Sequence, residues 1–105
     1  MDSPRQLPEA LFTELATRWR REVAATSSIS KVYFHPAYQQ IIGLGPDVLP
    51  LIFRELRKKP ELWFWALGAI TGENPAPKDA VGDVERQAEA WLKWWEGKHG
   101  DAARS

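Results

Sequence analysis

Residues 44–75, LGPDVLPLIFRELRKKPELWFWALGAITGENP, decide the fold. Two apolar patterns of helical period meet there at a Lys58-Lys59-Pro60 break. In the first, Val48, Leu49, Ile52, Phe53 and Leu56 recur at three- and four-residue spacing, which gathers them on one face of a helix. Pro46 suits the first position of that helix, and Pro50 lies close enough to the start to be accommodated with a small bend. Lys58 and Lys59 set cations at the negative end of the helix dipole, and Pro60 opens the next element. The second helix, expected over residues 60–71, is apolar almost all round, so neighbours should cover more than one of its faces and it is expected to be the central helix. Gly72 is its expected C-cap.

Working outward toward the N-terminus, ISKVYFHPAYQQIIGLG (residues 29–45) opens with Val32-Tyr33-Phe34, which has strand propensity but no second strand to pair with. A short helical turn and then a helix from Pro36 is the better reading, with His35 just outside as a cap or loop hydrogen-bonder. Gly43 and Gly45 are its left-handed C-cap candidates. The small polar residues 24–28 read as a loop. Before them Phe12, Leu15, Ala16, Trp19 and Val23 draw the apolar stripe of a helix over residues 8–23, with Glu9 in its first turn and Arg18, Arg20, Arg21 and Glu22 opposite.

Toward the C-terminus, ENPAPKDAVG (residues 73–82) is a proline-rich loop, and a last helix is expected over residues 83 to about 98. Val84, Ala88, Trp91, Leu92 and Trp95 form its inward stripe, while Trp94 points elsewhere. Residues 100–105 are small and polar and read as a frayed tail. The expectation is one all-α domain over residues 1–105, ordered from about 8 to 98, with four or five compact helices.

At 105 residues the chain is the size of one domain, able to bury roughly two-thirds of its unfolded surface. Its 44% hydrophobic and 27% charged content is ordinary for a folded soluble protein, and no apolar run nears the roughly 20 residues that span a bilayer. The opening MDSPRQLPEALF carries acid and proline where a secretory leader would carry basic and then apolar residues, so a cytoplasmic protein is expected. Zero cysteines remove disulfides, thiolate nucleophiles and cysteine-held zinc. Balanced charge, 14 basic against 14 acidic residues, withholds a global attraction to nucleic acid.

Chemical motifs are sparse. His35 and His99 are far apart and form no HExxH or i, i+4 pair, so no metal site is expected. Residues 68–72, GAITG, lack the spacing and Lys-Ser/Thr of a P-loop, and Gly43-Leu44-Gly45 lacks the third glycine of a dinucleotide fingerprint. Glu55, Glu61, Glu73, Asp79 and Asp83 offer carboxylates, but no histidine or serine stands near them to complete an acid/base pair. No catalytic residue and no cofactor follow, and a non-enzymatic role is expected.

Two surface features remain. The clusters RWRRE (residues 18–22) and RELRKK (residues 54–59) could align into one positive stripe for nucleic acid, with Arg18, Arg21, Arg54, Arg57 and Lys58 as contacts and Trp19 for stacking. Interleaved glutamates at pair-forming spacing favour a solvated mixed face instead. Six tryptophans are many for this length. Trp63 and Trp65 lie about 200 degrees apart on a helix, and Trp94 and Trp95 about 100 degrees, so neither pair shares a narrow face. Trp19, Trp63, Trp91 and Trp95 are expected in the core. Trp65 and Trp94 are the expected interface anchors, because exposed aromatics are enriched at binding hot spots.

The order G-P-x-V-L-P-L-I-x-x-E-L, a short break, then W-x-W-A-L-x-A-I-T-G resembles a HEAT-type antiparallel helical hairpin, over about a third of the chain. One such unit is present, where a solenoid needs about three. The wider string HPAYQQIIGLG through WFWALGAITGENP to WLKWW is similar to a group of small bacterial all-α proteins to which no activity is attached. The resemblance implies a central HEAT-like hairpin and a class of behaviour only, since such hairpins usually bind proteins and some bind nucleic acid. Small size, neutral charge, surplus tryptophan and missing chemistry together lead to the expectation of a small bacterial accessory protein, of adaptor or antitoxin type, that binds a larger protein partner. Trp65, Trp94, Arg54, Arg57 and Lys58 are its expected contacts, and a homo-oligomer would use the same face. A nucleic-acid-binding accessory protein is the alternative.

Overall fold

The computed structural model describes the backbone of residues 6–104 and the side chains of residues 9–98. Among the described residues six α-helices follow one another: α1 (Gln6–Val23), α2 (Ile29–Tyr33), α3 (Pro36–Gly43), α4 (Leu49–Lys58), α5 (Phe64–Thr71) and α6 (Val84–Arg104). Two 3-10 turns, Gly45–Val48 and Lys78–Ala80, lie ahead of α4 and α6, and no strand forms among these residues. The all-α expectation holds. The last helix runs past its expected end, and the His99 side chain lies outside the described residues.

Both prolines beside the break move a helix start. A helix running from Pro46 would need the Pro50 N–H on the Pro46 carbonyl, and proline has none. Leu49 N–H bonds that carbonyl instead, so the entry tightens to 3-10 geometry and α4 begins at Leu49. Lys59, ahead of Pro60, is extended at φ −164° and ψ 148°. The expected start at Pro60 therefore gives way to a connector, in which Trp63 N–H bonds the Glu61 carbonyl, and α5 begins only at Phe64.

Its first turn is capped from another helix. The Tyr38 hydroxyl of α3 donates to the Leu62 carbonyl at 2.9 Å and accepts the Ala66 N–H at 2.9 Å. Ala66 holds one of the four amides that a helix start leaves without an internal partner. Burial pushes the Tyr38 phenol far above its usual range, only partly offset by backbone hydrogen bonds at Ala66 and Trp65, so it stays a hydroxyl able to play both parts. Gly72 ends α5 in the left-handed conformation at φ 74°, as expected. Gly45, also at positive φ, follows α3, whereas Gly43 stays inside the helix.

One core cluster is built from two parts. α3 lies between α1 and α5, with α2 against α1 and α3, while α4 pairs with α6. The turn Gly45–Val48 touches α1, α3, α4 and α5, and its Val48 is fully buried. The helix with the most neighbours is thus α3, which touches α1, α2, α5 and the turn, whereas α5, with Ala66 and Leu67 buried as fully as Ala37, Tyr38 and Ile41, packs mainly on α3 and the turn. Extents of 42 × 39 × 23 Å describe a slab about two helix diameters thick, each being about 10 Å. On α5 only Trp65 and Ala69 are exposed, so its apolar surface is covered on more than one face.

Aromatic rings fill both parts. Phe12, Trp19, Tyr38 and Trp63 cluster in the first, with Trp19 and Trp63 centroids 4.7 Å apart and Trp19 Nε1 donating to the Val32 carbonyl at 2.9 Å. Phe53, Trp91, Trp94 and Trp95 form the second, Phe53 stacked on Trp95 at 4.5 Å. Burying several large aromatic surfaces supplies much of the drive to fold, at about 25 cal/mol per Å².

Candidate functional site

The most exposed aromatic arises where α2 meets α3. Successive residues on a helix point about 100 degrees apart, so Val32, Tyr33 and Phe34 cannot all turn inward. Val32 does, Tyr33 is half-buried, and Phe34 is 67% exposed. Phe34 closes α2, its N–H on the Ser30 carbonyl, and the next residue, His35, already caps α3. Across from it Trp65 of α5 is 37% exposed, edge-on to Phe34 at 5.0 Å and to Tyr33 at 5.3 Å. Phe34 and Trp65 thus form a surface ridge.

A cleft of about 520 Å³ opens beside the ridge, between the end of α1 and the α2–α3 junction. Val23, Phe34 and Pro36 are its apolar lining, and Glu22, Lys31 and His35 its ionisable groups. Its volume lies within the range of ligand-binding clefts. A second cleft of about 410 Å³ shares Val23 and Thr26 with it and runs toward Arg20, Lys59 and Leu62.

His35 cannot serve as a general base in this arrangement. Its Nδ1 accepts the Ala37 N–H at 3.0 Å, which makes it the cap of α3 foreseen from the sequence. The proton must then sit on Nε2, which donates to Glu22 Oε1 at 2.8 Å. Neither ring nitrogen is left to take a proton from a bound molecule. Glu22 and His35 are a rigid wall of the cleft rather than a reacting pair.

The two basic clusters do approach one another, but through Arg20, which the sequence had placed on the open face. Arg20 Nε and Nη2 donate to Glu61 at 2.9 and 2.6 Å, and Nη2 also donates to Glu55 at 3.0 Å. Lys58 reaches Glu55 at 3.3 Å, Lys59 reaches Glu61 at 3.8 Å, and Trp63 Nε1 donates to Glu61 at 3.2 Å. The hydrogen bonds it donates to Glu61 hold the Arg20 guanidinium above its ordinary range, against the opposing pull of burial. Burial pushes the Glu55 carboxyl up, but hydrogen bonds and charge from Arg20 and Lys58 outweigh it and hold the group below the usual carboxylate range.

The other expected contacts are dispersed. Arg54 pairs with Glu9 at 3.0 Å and lies 3.5 Å from Glu55, its Nε buried without a hydrogen bond. Arg18 pairs with Glu14 at 3.5 Å, while Arg21 and Arg57 are exposed. Trp94 is half-buried in the second ring group under the Lys98 ammonium, 5.6 Å from its ring. Trp65 and Trp94 therefore belong to different parts of the molecule. Trp19, Trp63 and Trp91 are buried as expected, and Trp95 is half-buried. Sequence reasoning missed Phe34, although three consecutive large apolar residues on a short helix were the signal that one must face out.

Among the described residues no group of three or more ligand-type side chains could hold a metal ion, and no helix is long and apolar enough to cross a membrane. No protein-family model, curated protein or solved structure matches the chain.

Proposed function

We propose that this chain is a non-enzymatic protein-binding module, a small cytoplasmic accessory protein of bacterial adaptor or antitoxin type, that seats a larger partner on the Phe34–Trp65 ridge. The observation that carries this reading is a pair of large aromatic side chains held edge-on at 5.0 Å on the surface, beside a cleft. Rigid exposed aromatics lose little conformational entropy on binding and are enriched at hot spots. The HEAT-type sequence resemblance of the segment containing α4 and α5 points to the same class, although α4 packs mainly on α6 and α5 on α3 in place of one another. The nucleic-acid alternative draws less support, because Arg18, Arg20, Arg54 and Lys58 already face carboxylates.

Affinity capture from the native host with the wild-type chain and with Phe34→Ala/Trp65→Ala tests this reading. The double variant should lose the partner while keeping its helical circular dichroism. Equal capture by both proteins would overturn the assignment of this face.

A further inference from the structure

We infer that the cleft beside Phe34 receives a segment of a partner protein that presents an aromatic or branched apolar side chain next to a carboxylate. The inference rests on the protein-binding reading and specifies the chemistry of that partner. The middle of the cleft, Val23, Phe34 and Pro36, is apolar and suits an apolar side chain. Its ionisable groups are unequal. Glu22 lies along one wall, committed to His35 and still negative, because the His35 ring is neutral in the tautomer the two hydrogen bonds require. Lys31 is exposed on the same cleft and makes no ion pair among the described residues, whereas Lys58, Lys59, Arg20 and Arg54 all do. A ligand carboxylate is repelled by Glu22 and attracted by Lys31, so the two walls orient the segment as well as hold it.

A backbone-amide NMR titration of the full chain tests the assignment with three small probes, N-acetyl-phenylalanine, its primary amide and phenethylamine, and with one peptide, acetyl-Gly-Phe-Asp-Gly amide. The acid should shift the amides of Lys31, Phe34 and Ala37 and bind about threefold more tightly than the amide, the gain of one partly exposed ion pair. Lys31→Ala should erase that difference, and Glu22→Gln should tighten the acid. The peptide should bind at least as well as the free acid.

Amide or amine binding as tightly as the acid would overturn the carboxylate assignment. Shifts lying away from residues 22–37 would overturn the site. Binding of the acid but not the peptide would mean a small free acid as ligand instead of a protein segment. Line broadening that rises with protein concentration alone would make a second copy of the chain the occupant. Loss of the captured partner in Phe34→Ala, with no carboxylate preference in the titration, would sink this inference and leave the protein-binding reading standing.

Discussion

The seam around Arg20 and the ridge of Phe34 and Trp65 both border the same aromatic cluster, since Tyr38 stacks near Trp63 at 5.9 Å and Trp65 at 6.3 Å. They treat their side chains in opposite ways. At the seam Arg20, Lys58 and Lys59 face Glu55 and Glu61, whose side chains are only 13% and 11% exposed. At the ridge two large rings touch each other and water. A charge-rich stretch can thus be spent on holding helices together, while apolar residues, usually assigned to the core, are what the surface leaves open. Two indoles separated by a single residue, Trp63 at 0% and Trp65 at 37% exposure, carry that contrast.

The sharpest test swaps each indole for alanine. Trp63→Ala should cost about 3–5 kcal/mol in urea unfolding, enough to unfold a marginal domain, whereas Trp65→Ala should cost about 1 kcal/mol or less. Equal losses would erase the distinction between core and ridge. Next in size is Tyr38→Phe, which leaves the Leu62 carbonyl and Ala66 N–H without their partner and should cost about 1–3 kcal/mol. Faster amide exchange at Ala66 in that variant would tie the loss to the start of α5.

Arg20→Gln strips two half-buried carboxylates of their shared cation. Because the Arg20 side chain is itself about a third exposed, the expected loss is about 1–2 kcal/mol rather than the larger figure of a fully buried pair. A neutral or stabilised variant would show that the seam is mere surface decoration. The smallest effect is acidic. Glu55 is held below its unfolded value, so its stabilisation is present above the usual carboxylate range near about 4 and is lost as pH falls through the lower folded value. Urea midpoints should drop between about pH 5 and 3, and less steeply in Glu55→Gln.

Helical class and most of the buried stripe were legible because Phe12, Leu15, Ala16 and Trp19, and again Ile52, Phe53 and Leu56, repeat at helical spacing. Helix starts were less so. The Pro50 and Pro60 effects depend on which carbonyl a missing N–H would have met and on Tyr38 reaching in from another helix, neither of which a local pattern records. Centrality was only partly legible: composition marked α5 as apolar all round, and of α5 only Trp65 and Ala69 are exposed, but the helix that packs on both α1 and α5 is α3, which no local pattern records. The exposure of Trp65 was legible from its phase against Trp63. The exposure of Phe34 and the cleft it lines with Lys31 were missed because a junction between two short helices has no period to read.

Both tyrosines of the chain, Tyr33 and Tyr38, are held above their ordinary range by burial. Folding therefore binds protons more tightly than the unfolded chain does, and stability is lost as pH rises past the free tyrosine value of about 10. In an alkaline titration followed by tyrosinate absorbance, the Tyr38 part of the signal should rise only as the fold gives way, together with a change in tryptophan fluorescence, and Tyr38→Phe should remove that step. The hydroxyl that caps α5 is in this way also a built-in optical gauge of whether that helix is still capped.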